Sequence, residues 1–235
     1  MLAGAARRIA GLLFGGSCFL CRGAAEAILC AECDAELPRL PAELCPRCAL
    51  ESPGGALCGR CLAAPPHYDA TLAALAYRFP ADVLLQSLKF RGELALAPLL
   101  GGLLAARIAG APRVDRIVPV PLSARGIAAR GFNQAMEIAR ELARASGAQL
   151  APMLCARVRD TAAQLGLPRA ERSANVRGAF ACRGFVAGLS IAVVDDVMTT
   201  GATLDEIART LKAAGAERVV NWVVARTPPP EPGAA

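Results

Sequence analysis

Apolar positions along residues 70–226 fall into two kinds of run. Short β-branched or alanine-rich runs of strand length occur at 70–77 (ATLAALAY), 117–121 (IVPVP, where the prolines mark the end), 153–158, 176–180, the run beginning at Ile191, and 218–225 (RVVNWVVA). Between them lie stretches with helical spacing. Ala135, Ile138, Ala139, Leu142 and Ala145 share one helix face, as do Leu204, Ile207, Ala208, Leu211 and Ala214, with Gly215 as the stop. Residues 81–90 predict a helix ending in Lys89-Phe90-Arg91-Gly92, and residues 94–109 predict a second. Residues 159–175 are polar, Arg-rich and poorly periodic, which predicts a long loop of the kind that usually serves function. Strands alternating with helices predict an α/β fold: a parallel sheet with helices on both faces and a ligand at the carboxyl ends of its strands.

The chain is organised around Ile191–Thr203, IAVVDDVMTTGAT. An apolar strand delivers Asp195 and Asp196 at its end. A small-residue turn, Thr199-Thr200-Gly201-Ala202-Thr203, then opens a helix. Free N–H groups at a helix start, aided by the dipole, favour an anion, and Gly201 lets the backbone approach it closely. Two acids beside such a cradle repel phosphate but suit sugar hydroxyls or Mg²⁺. The composite target is a 5′-phosphorylated ribose. Thr203 and Glu206 have capping-box spacing, which would compete for the same amides.

Residues 18–61 carry a different pattern: the C-x-x-C pairs Cys18/Cys21, Cys30/Cys33, Cys45/Cys48 and Cys58/Cys61. Two such knuckles complete one tetrahedral Cys₄ site, so the four predict two structural zinc ions in tandem ribbons, with no ligand position left for catalysis. In so short a segment each ion supplies folding free energy on the order of 10 kcal/mol. Sequential and crossed knuckle pairings use the same residues. Disulfides are the alternative, and a cytosolic chain argues against them.

Composition narrows the picture further. Aromatics make up only 4% of the chain, which disfavours multiple base-stacking platforms. The net charge of +6 is concentrated: Arg107–Arg183 holds thirteen arginines and five acids. Those arginines are either solvated helix faces or a field for a polyanion such as pyrophosphate or nucleic acid. Residues 2–14 read as a short amphipathic helix, too brief for a signal peptide or a membrane span, and the expectation is a soluble cytoplasmic protein. Expected boundaries are an N-terminal helical segment at 1–17, a double zinc ribbon at 18–64, an α/β domain at 67–226 after Pro65-Pro66, and a disordered tail at 227–235. His67 reads as surface linker, Trp222 as core, and Cys155 and Cys182 as buried small apolar residues.

The stretch 191–203 resembles the phosphoribosyl-pyrophosphate (PRPP) motif of type I phosphoribosyltransferases along its whole length. With the four knuckles, Leu88–Gly92, Val118–Leu122, Arg130–Gln134 and the loop residues Arg157, Thr161, Gln164, Arg172 and Asn175, nearly the whole chain resembles the ComF/GntX family, a double zinc ribbon followed by a phosphoribosyltransferase domain. The resemblance implies that Asp195 and Asp196 contact ribose hydroxyls and that Thr199–Thr203 cradle the 5′-phosphate. It implies that Pro121, Leu122, Ser123 and Arg125 take the pyrophosphate end, with Arg130 assisting, and that Mg²⁺ bridges pyrophosphate and ribose. Arg157, Gln164 and Arg172 then belong to a catalytic loop that closes over PRPP and excludes water as pyrophosphate leaves. One departure stands out. Purine-salvage relatives use an acid as general base where this chain has Thr199, which cannot act as a base at neutral pH. Family members are linked to DNA uptake in competence, which implies single-stranded DNA and a helicase-type protein as partners. Two functions compete: phosphoribosyl transfer to an unassigned acceptor, and a non-enzymatic PRPP-binding or DNA-handling adaptor.

Overall fold

The computed structural model describes residues 16–159 and 174–229. The expected helix at 2–14 and all but the edges of the 159–175 loop, including Thr161, Gln164 and Arg172, lie outside the described residues.

The ribbons contribute two single-turn helices, α1 (Ala31–Ala35) and α2 (Gly59–Ala63), each opening at a knuckle cysteine. Arg22 and Ala49 are the non-glycine residues with positive φ among those described. Each directly follows the second cysteine of its ribbon's first knuckle, so the two ribbons repeat one backbone turn.

The remainder runs β1 (Ala70–Ala76), α3 (Ala81–Arg91), α4 (Leu96–Ile108), β2 (Arg116–Pro119), α5 (Ala124–Arg130), α6 (Gln134–Ser146), β3 (Gln149–Leu150), β4 (Cys155–Arg157), β5 (Phe180–Cys182), β6 (Ser190–Met198), α7 (Ala202–Ala213) and β7 (Arg218–Arg226). The main sheet has the order β1-β7-β6-β2-β3, and every pairing is parallel. Alternation along central β6 splits the core. Ala192 and Val194 join α3, α4 and α6 on one face, whereas Ile191 and Val193 join α7 on the other. Trp222 is buried in the first of these faces.

Three expectations change. The acids lie within β6 rather than at its end, because Val197 and Met198 continue the pairing with β7. The expected strand at 176–180 begins only at Phe180: Val176 closes a helical turn, and Phe180–Cys182 pair antiparallel with Cys155–Arg157 in a separate two-stranded sheet. Cys155 is buried there, but its partner Cys182 is only half-buried. Finally, residues 124–130, for which no helix is predicted, form one that Ser123 caps by accepting from the Gly126 amide at 3.1 Å.

Candidate functional site

Parallel pairing carries β6 and β2 to the same end of the sheet. Pro119 lies opposite Val194, and the Val120 amide donates to the Val194 carbonyl at 2.9 Å. Pro121, Leu122 and Ser123 therefore emerge beside Asp195 and Asp196, with exposed Arg125 in the first turn of α5. Asn133 fixes this junction. Its Nδ2 donates to the Val120 carbonyl at 3.0 Å while its Oδ1 caps α6 by accepting from the Ala135 amide.

The two acids have different surroundings. Asp196 is buried, and its Oδ2 lies 3.4 Å from both Lys89 Nζ and Gln134 Nε2. Arg130 in turn donates to Gln134 Oε1 at 3.3 Å. Asp195 is half-buried and accepts from the Asp196 amide at 2.9 Å. Burial, then the neighbouring Asp196 charge, push the Asp195 carboxyl well above the usual carboxylate range, and Lys89 only partly opposes this. An acid pair short of positive charge fits a divalent cation or hydroxyl donors.

Past the acids, Gly201 sits at the N-cap of α7 with φ 85° and offers no side-chain cap. A Cβ there would lie 2.7 Å from Met198 Cε and 3.1 Å from Tyr68 Oη, so only glycine fits. Thr200 Oγ1 accepts from the Ala202 amide at 3.3 Å. The expected capping box does not form through Glu206, whose carboxylate takes two hydrogen bonds from Arg209 and one from the Gly178 amide. At this helix start Thr199 is exposed and Thr200, Ala202 and Thr203 are half-buried. His67, half-exposed as a linker residue, holds Asp205 in the first turn of α7.

Arg157 ends β4 on the small hairpin, its guanidinium over the Phe180 ring at 5.7 Å. Arg159 clamps the two ends of the long loop, donating to the carbonyls of Asn175 (3.1 Å) and Arg177 (2.6 Å). Sequence reasoning missed Arg159 and gave no role to Lys89 or Gln134, although both stand in the motif stretches. Part of the basic excess is paired off: on α6, Arg140 meets Glu137 and Arg144 meets Glu141 three residues apart.

The thiols of Cys18, Cys21, Cys30 and Cys33 converge in one cluster and those of Cys45, Cys48, Cys58 and Cys61 in another, each within 4.8 Å. Knuckle pairing is thus sequential. Cys21 and Cys30 sulfurs are 3.7 Å apart and those of Cys48 and Cys58 3.6 Å, close to the ~3.8 Å edge of a tetrahedron with ~2.3 Å Zn–S bonds. All eight are free thiols, and both sets fit structural zinc.

A double zinc ribbon joined to a phosphoribosyltransferase-type sheet is the class these features define. The double zinc ribbon domain model matches residues 9–62, and the phosphoribosyl transferase domain model matches residues 125–231. The chain is 40% identical to DNA utilization protein YhgH of Salmonella typhi, over 90% of this chain and 97% of that protein. It is 31% identical to Competence protein F of Haemophilus influenzae, over 91% of this chain and 98% of that protein. Competence protein ComFC of Streptococcus pneumoniae is 27% identical over 86% of this chain and 89% of its own length. The chain belongs to the ComF/GntX family. Among the described residues, no helix is long and apolar enough to cross a membrane.

Proposed function

We propose that this protein binds PRPP with Mg²⁺ at the carboxyl end of its sheet and transfers the phosphoribosyl group to an acceptor, releasing pyrophosphate, in the handling of DNA. In this reading residues 67–226 are the phosphoribosyltransferase domain, 18–64 the ribbons, and the protein works in the cytoplasm. One observation carries it: the acid pair on β6, the start of α7 with Gly201 at its N-cap, and the loop after β2 open at the same end of the sheet. Asp195 and Asp196 accept from the ribose hydroxyls, and Thr199–Thr203 hold the 5′-phosphate with backbone amides and hydroxyls. Pro121, Leu122, Ser123 and Arg125 orient the pyrophosphate. Asp195 and Asp196 also suit Mg²⁺, which when bound offsets their crowded charge and that of pyrophosphate. Arg157, Gln164 and Arg172 close the site against water.

Calorimetry with PRPP and Mg²⁺ tests the site. Wild type binds, and Asp195→Asn/Asp196→Asn loses at least tenfold in affinity; equal binding by both rejects the reading. Pyrophosphate release across a panel of acceptors then separates an enzyme from a PRPP-binding protein.

A second reading, a DNA-handling adaptor that engages single-stranded DNA and a helicase-type partner, is favoured by Phe90. Its ring is 61% exposed at the rim of the acid pair, with Lys89 Nζ and Arg130 Cζ each 5.8 Å from its centroid. An exposed ring flanked by two cations suits one nucleobase and its phosphates. Names of the curated relatives point the same way. In a shift assay with single-stranded DNA, Phe90→Ala weakens binding by about 1–3 kcal/mol; unchanged affinity removes this reading.

A further inference from the structure

Arg226, the last residue of β7, is 1% exposed. Its Nε donates to the Cys48 carbonyl at 2.8 Å. Its Nη1 donates to the carbonyls of Met198 (2.8 Å), Thr227 (3.0 Å) and Thr199. One guanidinium thus grips a knuckle of the second ribbon and the turn that leads from the acid pair into α7. Tyr68 gives a second path from the same knuckle: Arg47 Nη1 donates to the Tyr68 carbonyl at 3.0 Å, and the Tyr68 hydroxyl stands where a Cβ on Gly201 would clash.

The charge of Arg226 needs an account. A buried cation is costly unless it is paired. Among the described residues, no carboxylate lies within ion-pair distance of it, and its Nη2 is buried without a hydrogen-bond partner. With zinc bound, the ribbon it touches would supply an anion. Four thiolates around one divalent ion leave a net double negative charge, and Cys48, whose carbonyl Arg226 holds, is one of the four. The first ribbon has no such link: among the described residues, no hydrogen bond joins Cys18–Cys33 to the turn.

We propose that Arg226 is a positioning residue through which the second zinc site shapes the phosphate turn, so that filling of the Cys45/Cys48/Cys58/Cys61 site sets the order of Met198–Thr203 and its affinity for an anion. The anion part rests on the PRPP reading above; the coupling does not. With the Met198 and Thr199 carbonyls pinned inward, the amides that follow stay directed at the cradle. When the ion leaves and the four thiolates take up protons, the net double negative charge of the site falls to zero, the guanidinium loses its counter-charge, its hold on the Cys48 carbonyl weakens, and the turn loosens.

Hydrogen exchange on the full chain, with zinc content measured in parallel, tests this without any ligand. Cys58→Ser empties the second site and speeds amide exchange over residues 199–204 about tenfold or more. Cys21→Ser empties the first site and leaves those amides within twofold of wild type. Arg226→Lys keeps the charge and both zinc ions but reaches either the Cys48 carbonyl or the carbonyls of the turn, not both, and it speeds the same amides. Should Cys58→Ser not accumulate as a folded protein, stepwise chelation of wild type, with exchange read at each zinc content, takes its place. Unchanged exchange at 199–204 in Arg226→Lys at full zinc content overturns the proposal, as does equal loosening by the two cysteine variants. Titration with PRPP and with pyrophosphate adds the second readout: Arg226→Lys weakens both at least fivefold. Loosening as expected, in a wild-type protein that binds neither anion, rejects the PRPP reading and leaves the coupling standing.

Discussion

In the first ribbon the four thiols run from buried Cys18 to exposed Cys21; in the second, Cys45, Cys48 and Cys61 are all buried. The ligand sets match, but the attachments differ. The first ribbon leans on the sheet through side chains, Leu29 and Leu37 joining the apolar cluster of α3, α4 and α6 with Phe19 and Leu20 packed against it, and the backbone just after it bonds β1 through Pro38 and Leu40. The second packs Leu44 and Ala49 into the apolar cluster under α7 and is tied by polar side-chain contacts as well. The Pro46 carbonyl accepts from the Thr71 amide at 3.1 Å, Arg47 reaches the carbonyls of Pro66 and Tyr68, and Cys48 is held by Arg226. Apolar packing tolerates small displacements at modest cost, whereas a directional hydrogen bond to a buried charge does not. Two modules with nearly the same spacing thus differ in consequence: both cover a core, but among the described residues the second is also linked through Arg226 to the phosphate turn.

The largest test of that difference is metal loss. Cys48→Ser forfeits binding free energy on the order of 10 kcal/mol at the second site. It also removes the counter-charge of Arg226. Zinc content falls from two to one, and the loss of protection spreads from the ribbon into Met198–Thr203. In Cys21→Ser, zinc content falls equally but the loss of protection stays within the first ribbon. Identical maps for the two variants would abolish the distinction.

Next in size is Gly201→Ala, which approaches the turn from the side of Tyr68. A Cβ at φ 85° and 2.7 Å from Met198 Cε must displace Met198 or Tyr68. The expected cost is about 1–3 kcal/mol, or a Tm lower by roughly 2–4 °C per kcal/mol, read by thermal melts. PRPP affinity falls with it, while zinc content stays at two.

These tests also mark what the amino-acid pattern alone could give. The four C-x-x-C pairs state their chemistry in local spacing, and the motif from Ile191 to Thr203 does the same for a strand, an acid pair and a helix start. Each is short-range and survives translation into structure. Knuckle pairing did not follow from spacing, because sequential and crossed pairings use the same residues; only the fold brings Cys30 to Cys21 and Cys58 to Cys48. Arg226 was invisible for a related reason. It closes a strand that reads as apolar, and its partners Cys48, Met198 and Thr199 are distant in sequence. Lys89 stood in a noted stretch, but its pairing with Asp196 depends on α3 crossing the strand ends. The strand expected at 176–180 failed because Val176, Ala179 and Phe180 are apolar in either conformation, and periodicity cannot choose over so few residues.

A smaller effect, opposite in sign, is expected at Asp195. Its folded-state pKa is raised above the ordinary value, so the folded protein holds a proton that the unfolded chain has released. Stability therefore falls as pH rises from about 4, the unfolded value, up through the raised folded pKa. Asp195→Asn removes that penalty. The ligand-free variant melts higher at pH 7 and shows a flatter Tm–pH profile, while PRPP binding is lost. A lower melting point at pH 7 would mean that the acid is compensated and the cradle is not poised for a cation or a sugar.

The smallest effect is expected on the face of the sheet where the first ribbon leans. Arg140 and Arg144 belong to the basic middle of the chain, yet each is paired with Glu137 or Glu141 on the exposed side of α6. Such pairs contribute about 0.3–0.5 kcal/mol on a helix surface. Arg140→Ala and Arg144→Ala are each expected to shift Tm by less than about 2 °C and to leave PRPP and DNA affinity unchanged. Arg125, exposed beside the loop after β2, lowers PRPP affinity when replaced by alanine. Side-by-side titrations decide whether the positive charge acts through its place or its sum. If all three replacements weaken anion binding equally, the field of the whole segment matters; if only Arg125→Ala does, the strand ends are where the charge is used.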